Sequence, residues 1–171
     1  RVHVLRLELH VDGPEDGEPQ SPIPLSAWGA FGRVLEGELA SLYPEIARYG
    51  TVELSVTLLG PDEMRTVNRE YRERDEATDV LSFPLWEVDG RFVPDGALTE
   101  LLPLGDILIC PEEVARLHEG LPPEDALCLV LAHGFLHLLA WDHDTEERES
   151  AMWARQDAVK QRLLDVLRGG H

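Results

Sequence analysis

Basic residues are what this sequence has least of. Its 171 residues include 15 Lys and Arg against 33 Asp and Glu, a formal net charge of −18. Taken alone, that balance argues against a nucleic-acid partner, because phosphate binding draws on Lys and Arg. A polyanionic partner is compatible only with positive charge concentrated in one place. Cysteine is almost absent too. Cys110 and Cys128 have no CxxC spacing and no partner His nearby, which predicts two free, buried thiols in a reducing compartment. No apolar run approaches the ~20 residues a membrane helix needs. Arg1 to Asp12 alternates with charges and does not have the pattern of a signal peptide. The cytoplasm is therefore the expected compartment, with no membrane partner. Because the chain opens on Arg1 rather than Met, its natural start is expected to lie upstream. No internal repeat, low-complexity tract or dividing linker is visible. With 43% hydrophobic and 28% charged residues, residues 1–171 are expected to form one globular domain with a substantial core.

What is present is a mixture of two periodicities. Val2 to Val11 alternates apolar and polar residues, as does Thr51 to Leu59, and both predict half-buried strands with His3 and His10 facing outward. Asp12 to Pro24 reads as a loop. Ser26 is a plausible N-cap for a helix whose Trp28, Phe31, Leu35, Leu39 and Leu42 recur at helical spacing, ended by Pro44. Its glycines weaken it or let another element approach closely. Pro61 opens a second helix, with Asp62 and Glu63 in the first turn, where the helix dipole favours acids. Met64, Val67 and Tyr71 form its apolar face. Arg65, Arg69 and Arg72 form a stripe: either a solvated face paired with Glu63, Glu70 and Glu73, or a phosphate-facing surface. Val80 to Phe83 and Leu104 to Ile109 read as further strands, separated by a turn-rich excursion from Trp86 to Pro103. A short helix from Pro111 to His118 follows, with His118 expected at the surface. An apolar helix runs from Pro122-Pro123 to about Leu139, and a charged helix from Thr145 to Arg168. The expected fold is α+β: a small mixed sheet of about four strands, packed with about five helices, the apolar helix central.

That central helix carries the chemistry. His133, His137 and His143 stand at relative positions 0, +4 and +10. Helical residues four apart share a face, about 5–6 Å apart at Cβ, so His133 and His137 can share one ion, and a turn can return His143 to it. Three imidazoles with an open fourth position describe a catalytic zinc site. The spacing equals that of metalloproteases with the H-E-x-x-H-x-x-G-x-x-H pattern, which place a general-base Glu after the first His. Here that residue is Gly134, so the metal frame is present and the usual proteolytic base is missing. Three imidazoles suit zinc and also accept nickel, copper or iron.

The motif H-G-x-L-H-L-x-x-x-D-H from His133 to His143 resembles that of the YbeY family of metal-dependent endoribonucleases, the rRNA maturation factors. Two more stretches resemble that family in the same order: N-x-x-Y-R-x-x-D-x-x-T-D-V-L-S-F-P from Asn68 to Pro84, and L-G-D-I-x-I from Leu104 to Ile109. The resemblance implies a single-strand-specific endoribonuclease acting in small-subunit (16S) rRNA maturation and ribosome quality control, and the three histidines make zinc its expected metal. It implies rRNA, the ribosomal small subunit and assembly factors as partners.

Arg72 occupies the Arg of the family's Y-R signature and is the candidate catalytic residue, stabilising transition-state charge on phosphate with its planar fork. The structural alternative is an ion pair with Asp75 or Asp79. Asp142 is a candidate to orient a ligand His, Asp106 to do the same or to cap a turn, and Ser82 to donate to a phosphate oxygen. Arg65 and Arg69 would extend the basic patch. Gly134 would leave room beside the metal for the phosphate or its water. Family members commonly have Gly-Tyr where this chain has Ala140-Trp141. Ala at positive φ costs roughly 1 kcal/mol, so the turn either uses negative φ or carries strain. Trp141 keeps an aromatic plane and loses a hydroxyl. Two rival readings share the histidine frame. One is a metallopeptidase or other metal-dependent hydrolase. The other is a non-catalytic assembly factor with a structural metal, for which Asp142 or Cys128 would have to supply a fourth ligand.

Overall fold

Alternation of apolar and polar residues gives the sheet its two faces. In β2 (Thr51–Leu58), Val52, Leu54, Val56 and Leu58 are buried, and the residues between them are half-buried. The computed structural model describes residues 4–13, 21–95 and 101–169. His3, and the parts of the Asp12–Pro24 and Trp86–Pro103 stretches that fall between those ranges, lie outside them. β2 pairs in parallel with β1 (Arg6–Asp12) and with β6 (Leu101–Ile109), and β3 (Val80–Pro84) closes the other edge antiparallel to β6. The strand order is β1-β2-β6-β3, the expected mixed sheet of four. The excursion after β3 begins as a two-strand hairpin, β4 (Glu87–Val88) and β5 (Arg91–Phe92). Its turn residues Asp89 and Gly90 both have positive φ, 51° and 77°, the pair a tight type I′ turn requires.

Among the described residues there are five α-helices and one 3-10 helix (Pro44–Tyr49). α1 (Leu25–Leu42) buries Trp28, Phe31, Leu35 and Leu39, and its Gly32 lets Leu9 of β1 come within 3.4 Å of where a Cβ would stand. Pro24, not Ser26, sits at the N-cap, and no side chain caps the helix. α1 also guards the sheet's exposed edge. Glu36 accepts from the Leu7 N–H at 2.8 Å and Arg33 donates to the Leu7 carbonyl, which covers backbone groups an edge strand would otherwise present to another chain. α2 (Pro61–Arg72) packs Met64 onto Leu59, Leu81 and Cys110 in a small satellite core. α3 (Pro111–Leu117) leads to α4 (Pro123–Leu138), whose ten buried residues are spread around its circumference. A helix apolar all round is a core helix, and α4 lies across β3 and β6 with α5 (Glu146–Gly169) over it. α5 is also tied to α1: Glu38, fully buried, pairs with Arg162 and, at 3.8 Å, with Arg155. No helix among the described residues is long and apolar enough to cross a membrane.

Candidate metal centre

Two glycines decide how closely α4 approaches the sheet. A Cβ on Gly134 would stand 2.9 Å from Ile107 Cγ2 and 3.2 Å from Ser82 Oγ. Gly105 of β6 has φ 136°, and a Cβ there would stand 2.3 Å from the Phe83 carbonyl and 3.1 Å from Leu138. Both glycines are where backbone passes against backbone or side chain. This corrects the expectation that Gly134 opens space beside the metal: its missing side chain is the room that Ile107 and Ser82 already occupy. The same packing crowds any side chain at this position, which argues against the Glu that a peptidase of this pattern needs.

With α4 so seated, His133 and His137 emerge from its last two turns. The chain then reverses at Ala140, whose φ is 67°, so of the two alternatives for this turn the strained one is realised. The turn returns His143 to the pair. One ring nitrogen from each histidine can be chosen so that all three lie within 4.8 Å of one another. His133 Nε2 and His137 Nε2 face each other at 2.9 Å. Burial holds the His133 imidazole below its ordinary pKa and, with the neighbouring His133, pushes that of His137 down to about 4. Both rings are thus neutral at pH 7, the form that binds metal.

Gln156 supplies an orienting contact. Its Oε1 lies 2.7 Å from His133 Nδ1 and accepts from the ring N–H, which leaves the Nε2 lone pair pointing at His137. The His137 ring is hydrogen-bonded to the Trp141 backbone; with its proton there, two lone pairs face each other at hydrogen-bond distance, an arrangement that suits a shared metal ion. Sequence reasoning missed Gln156. The available signal was a polar residue at helical spacing within the buried series Met152, Gln156, Val159 and Leu163. It also missed Trp153, whose ring stacks on His143 with centroids 5.3 Å apart, and Arg148. Arg148 donates to Ala140 O at 3.2 Å and Gly90 O at 3.4 Å, tying the strained turn to the hairpin, while Asp144 holds its other end.

The other candidates separate. Arg72 lines a cleft of about 470 Å³ together with Ser82, Glu87, His133, His137 and Asp142. Its Nη2 donates to Ser82 O at 2.9 Å and its guanidinium lies 5.0 Å from the Phe83 ring centroid. Its Nη1 also donates to Tyr71 O at 3.4 Å; Arg72 pairs with neither Asp75 nor Asp79, and among the described residues it keeps further N–H groups free. Arg65 and Arg69 do not join it: Asp75 holds Arg65 through two hydrogen bonds of 2.8 and 3.0 Å and Arg69 at 3.5 Å. Asp75, and not the glutamates of α2, neutralises that end of the stripe. Ser82 lines the cleft, but its hydroxyl donates to the Gly134 carbonyl at 3.3 Å. Asp142 accepts the His143 N–H at 2.8 Å and so fixes the turn. Asp106 is exposed on the sheet face opposite Ile107 and the histidines, because a strand alternates its sides. It is not placed to orient a ligand. His118, expected at the surface, is half-buried against Asp79 at 2.9 Å. Cys128 is fully buried, and neither it nor Asp142, whose Oδ1 accepts the His143 N–H, belongs to the histidine group. Neither fills a fourth ligand place among the described residues, which weakens the structural-metal reading.

The family model described as "Endoribonuclease YbeY" matches residues 30–164. The chain belongs to the YbeY endoribonuclease family. Among curated YbeY proteins, that of Halalkalibacterium halodurans is 36% identical over 133 residues, 71% of this chain and 81% of the relative. One from Staphylococcus aureus is 41% identical over 109 residues, 63% of this chain and 70% of the relative. Both are named endoribonuclease YbeY. The solution structure of TM1509 from Thermotoga maritima superposes with a TM-score of 0.59 at 25% identity, covering 95% of this chain and 93% of that one. The matched region contains the three histidines, Gln156, Arg72 and Arg148.

Proposed function

We propose that this YbeY-family protein is a zinc-dependent endoribonuclease that cuts single-stranded RNA in the maturation of small-subunit (16S) rRNA. Its proposed setting is cytoplasmic. The proposed partners are the ribosomal small subunit and assembly factors, with a role in ribosome quality control. The observation that carries the reading is the opposition of His133 Nε2 and His137 Nε2 at 2.9 Å, beside His143, at the wall of a cleft that Arg72 also lines. His133, His137 and His143 would hold one zinc ion. Bound there, zinc supplies Lewis acidity toward a phosphoryl oxygen and activates water near neutral pH. Arg72, which lines the same cleft, would bind and orient the phosphate. Its contacts to Ser82 O and the Phe83 ring fix the guanidinium before substrate arrives, which is what makes a charge effective in a transition state. Arg148 and Asp142 hold the turn that carries His143, and Gln156 holds the His133 ring.

The test is Arg72→Ala on purified protein, with metal content and cleavage of a single-stranded RNA both measured. Loss of about 10²–10³ in kcat with unchanged metal content supports the role of Arg72. Wild-type turnover rejects it.

A further inference from the structure

A second cleft, about 410 Å³ in volume, adjoins the histidine cleft. The two share Gly90, Ala140, Trp141, Asp142 and Arg148. Arg148 forms part of the wall between them, since its guanidinium bridges the Gly90 and Ala140 carbonyls. The walls particular to the second cleft are aromatic and basic. Tyr43, Phe92 and Arg91 line this cleft alone, and Trp141 adds an aromatic wall common to both. The Tyr43 and Phe92 ring centroids are 4.9 Å apart at an interplanar angle of 57°. The Tyr43 hydroxyl is engaged by the Leu139 carbonyl at 3.3 Å and by the Trp141 indole. The polar atoms of these two rings are thus satisfied within the protein, and what remains to offer a ligand is ring surface.

We propose that this second cleft is a nucleobase subsite, holding one unpaired base of the RNA strand whose phosphate lies in the histidine cleft. The proposal rests on the endoribonuclease reading and specifies how that site takes its substrate. Base stacking on aromatic side chains tolerates any sequence, because every base has a π face. Charge placement supports the same occupant. In a chain of net charge −18 with only 15 basic residues, Arg72, Arg91 and Arg148 lie around the joined clefts. Arg65 and Arg69 are held by Asp75 and Arg148 is paired with Asp144, and Glu87 and Asp142 also line the clefts, so Arg72 and Arg91 are the lining cations without an ion pair among the described residues. The geometry also gives single-strand preference a physical cause. A base can enter a cleft beside its own phosphate only when it is neither paired nor stacked in a helix.

The experiment uses a short single-stranded RNA with one cleavage site and versions of it in which a single abasic nucleotide is moved along the strand. For the zinc-loaded wild type, the abasic nucleotide raises KM roughly tenfold at one position flanking the cut and little elsewhere. Phe92→Ser raises KM for the intact RNA by a similar factor, leaves kcat within about twofold, and no longer distinguishes the abasic strand. Phe92→Leu keeps the apolar contact with Tyr43 and loses only the ring; it serves the same purpose if the serine variant does not fold. In parallel, 2-aminopurine at the flanking position is quenched on binding to wild type and not on binding to the Phe92 variant. Indifference of wild type to abasic substitution at every flanking position overturns the proposal. So does a Phe92 variant that still discriminates, or cleavage without quenching. RNA bound with quenching but never cut keeps the subsite and overturns the endoribonuclease reading instead. RNA neither bound nor cut overturns both.

Discussion

Gln156 Oε1 stands 2.7 Å from His133 Nδ1, and through that contact a residue of α5 sets which nitrogen of His133 faces His137. Such orienting partners typically account for 10–100-fold in metal affinity. Gln156→Leu is therefore expected to weaken zinc binding by about that factor, read by competition with a chromophoric chelator. Gln156→Glu retains an acceptor and is expected to keep most of the affinity. Equal affinity for the leucine variant and wild type would reduce Gln156 to a packing residue.

Ala140 sits at φ 67°, where a side chain is strained and Gly is not. Ala140→Gly removes that strain and also loosens the unfolded chain, which offsets part of the gain. The net expectation is a stabilisation below about 1 kcal/mol, a rise in Tm of about 1–3 °C for a domain of this size, with zinc binding unchanged. A fall in Tm would mean that Arg148 and Asp142 already hold the turn without strain.

Gly134→Ala places a methyl 2.9 Å from Ile107 Cγ2. Overpacking of this kind costs typically ~1–3 kcal/mol, because the neighbour is a packed β6 side chain rather than a flexible surface one. Urea unfolding should show the midpoint falling at constant m-value. Gly134→Glu is expected to impair folding rather than create a peptidase. A stable Gly134→Glu protein with chelator-sensitive peptidase activity would contradict this account of the glycine.

Cys110 and Cys128 are both buried. Burial raises the pKa of both thiols, pushing that of Cys128 up to about 12 with the nearby Asp125 and Glu124 adding to it. The thiolate is the reactive species, so both cysteines are expected to resist alkylation in the folded protein up to mildly alkaline pH and to react fully in denaturant. Rapid native-state labelling of Cys128 would show that α4 opens.

The architecture was legible wherever one periodicity dominated. Alternation in Thr51–Leu59 and the helical series from Trp28 to Leu39 correspond to β2 and α1, and the apolar run before His133 is the buried helix it was read as. The three histidines were legible because i, i+4 spacing on a helix is a geometric statement. The rest depended on side chains meeting across the chain. Nothing in the stripe Arg65, Arg69, Arg72 says that Asp75 takes the first two and leaves the third to the cleft. Nothing local reveals that Asp106 faces away from the histidines, since that follows from which side of β6 packs on α4. Gly134 reads as a vacancy in one dimension and is a contact in three. Ser26 is not the cap because α1 begins one residue before it, at Leu25, with Pro24 at the N-cap.

The central claim is that three histidines hold a catalytic metal ion and Arg72 acts beside it. The most direct test measures zinc content and single-stranded RNA cleavage together for wild type, His137→Ala and Arg72→Ala. The account predicts about one zinc per chain and cleavage in wild type, neither in His137→Ala, and zinc without cleavage in Arg72→Ala. Cleavage that persists unchanged in His137→Ala after its zinc is gone would contradict it.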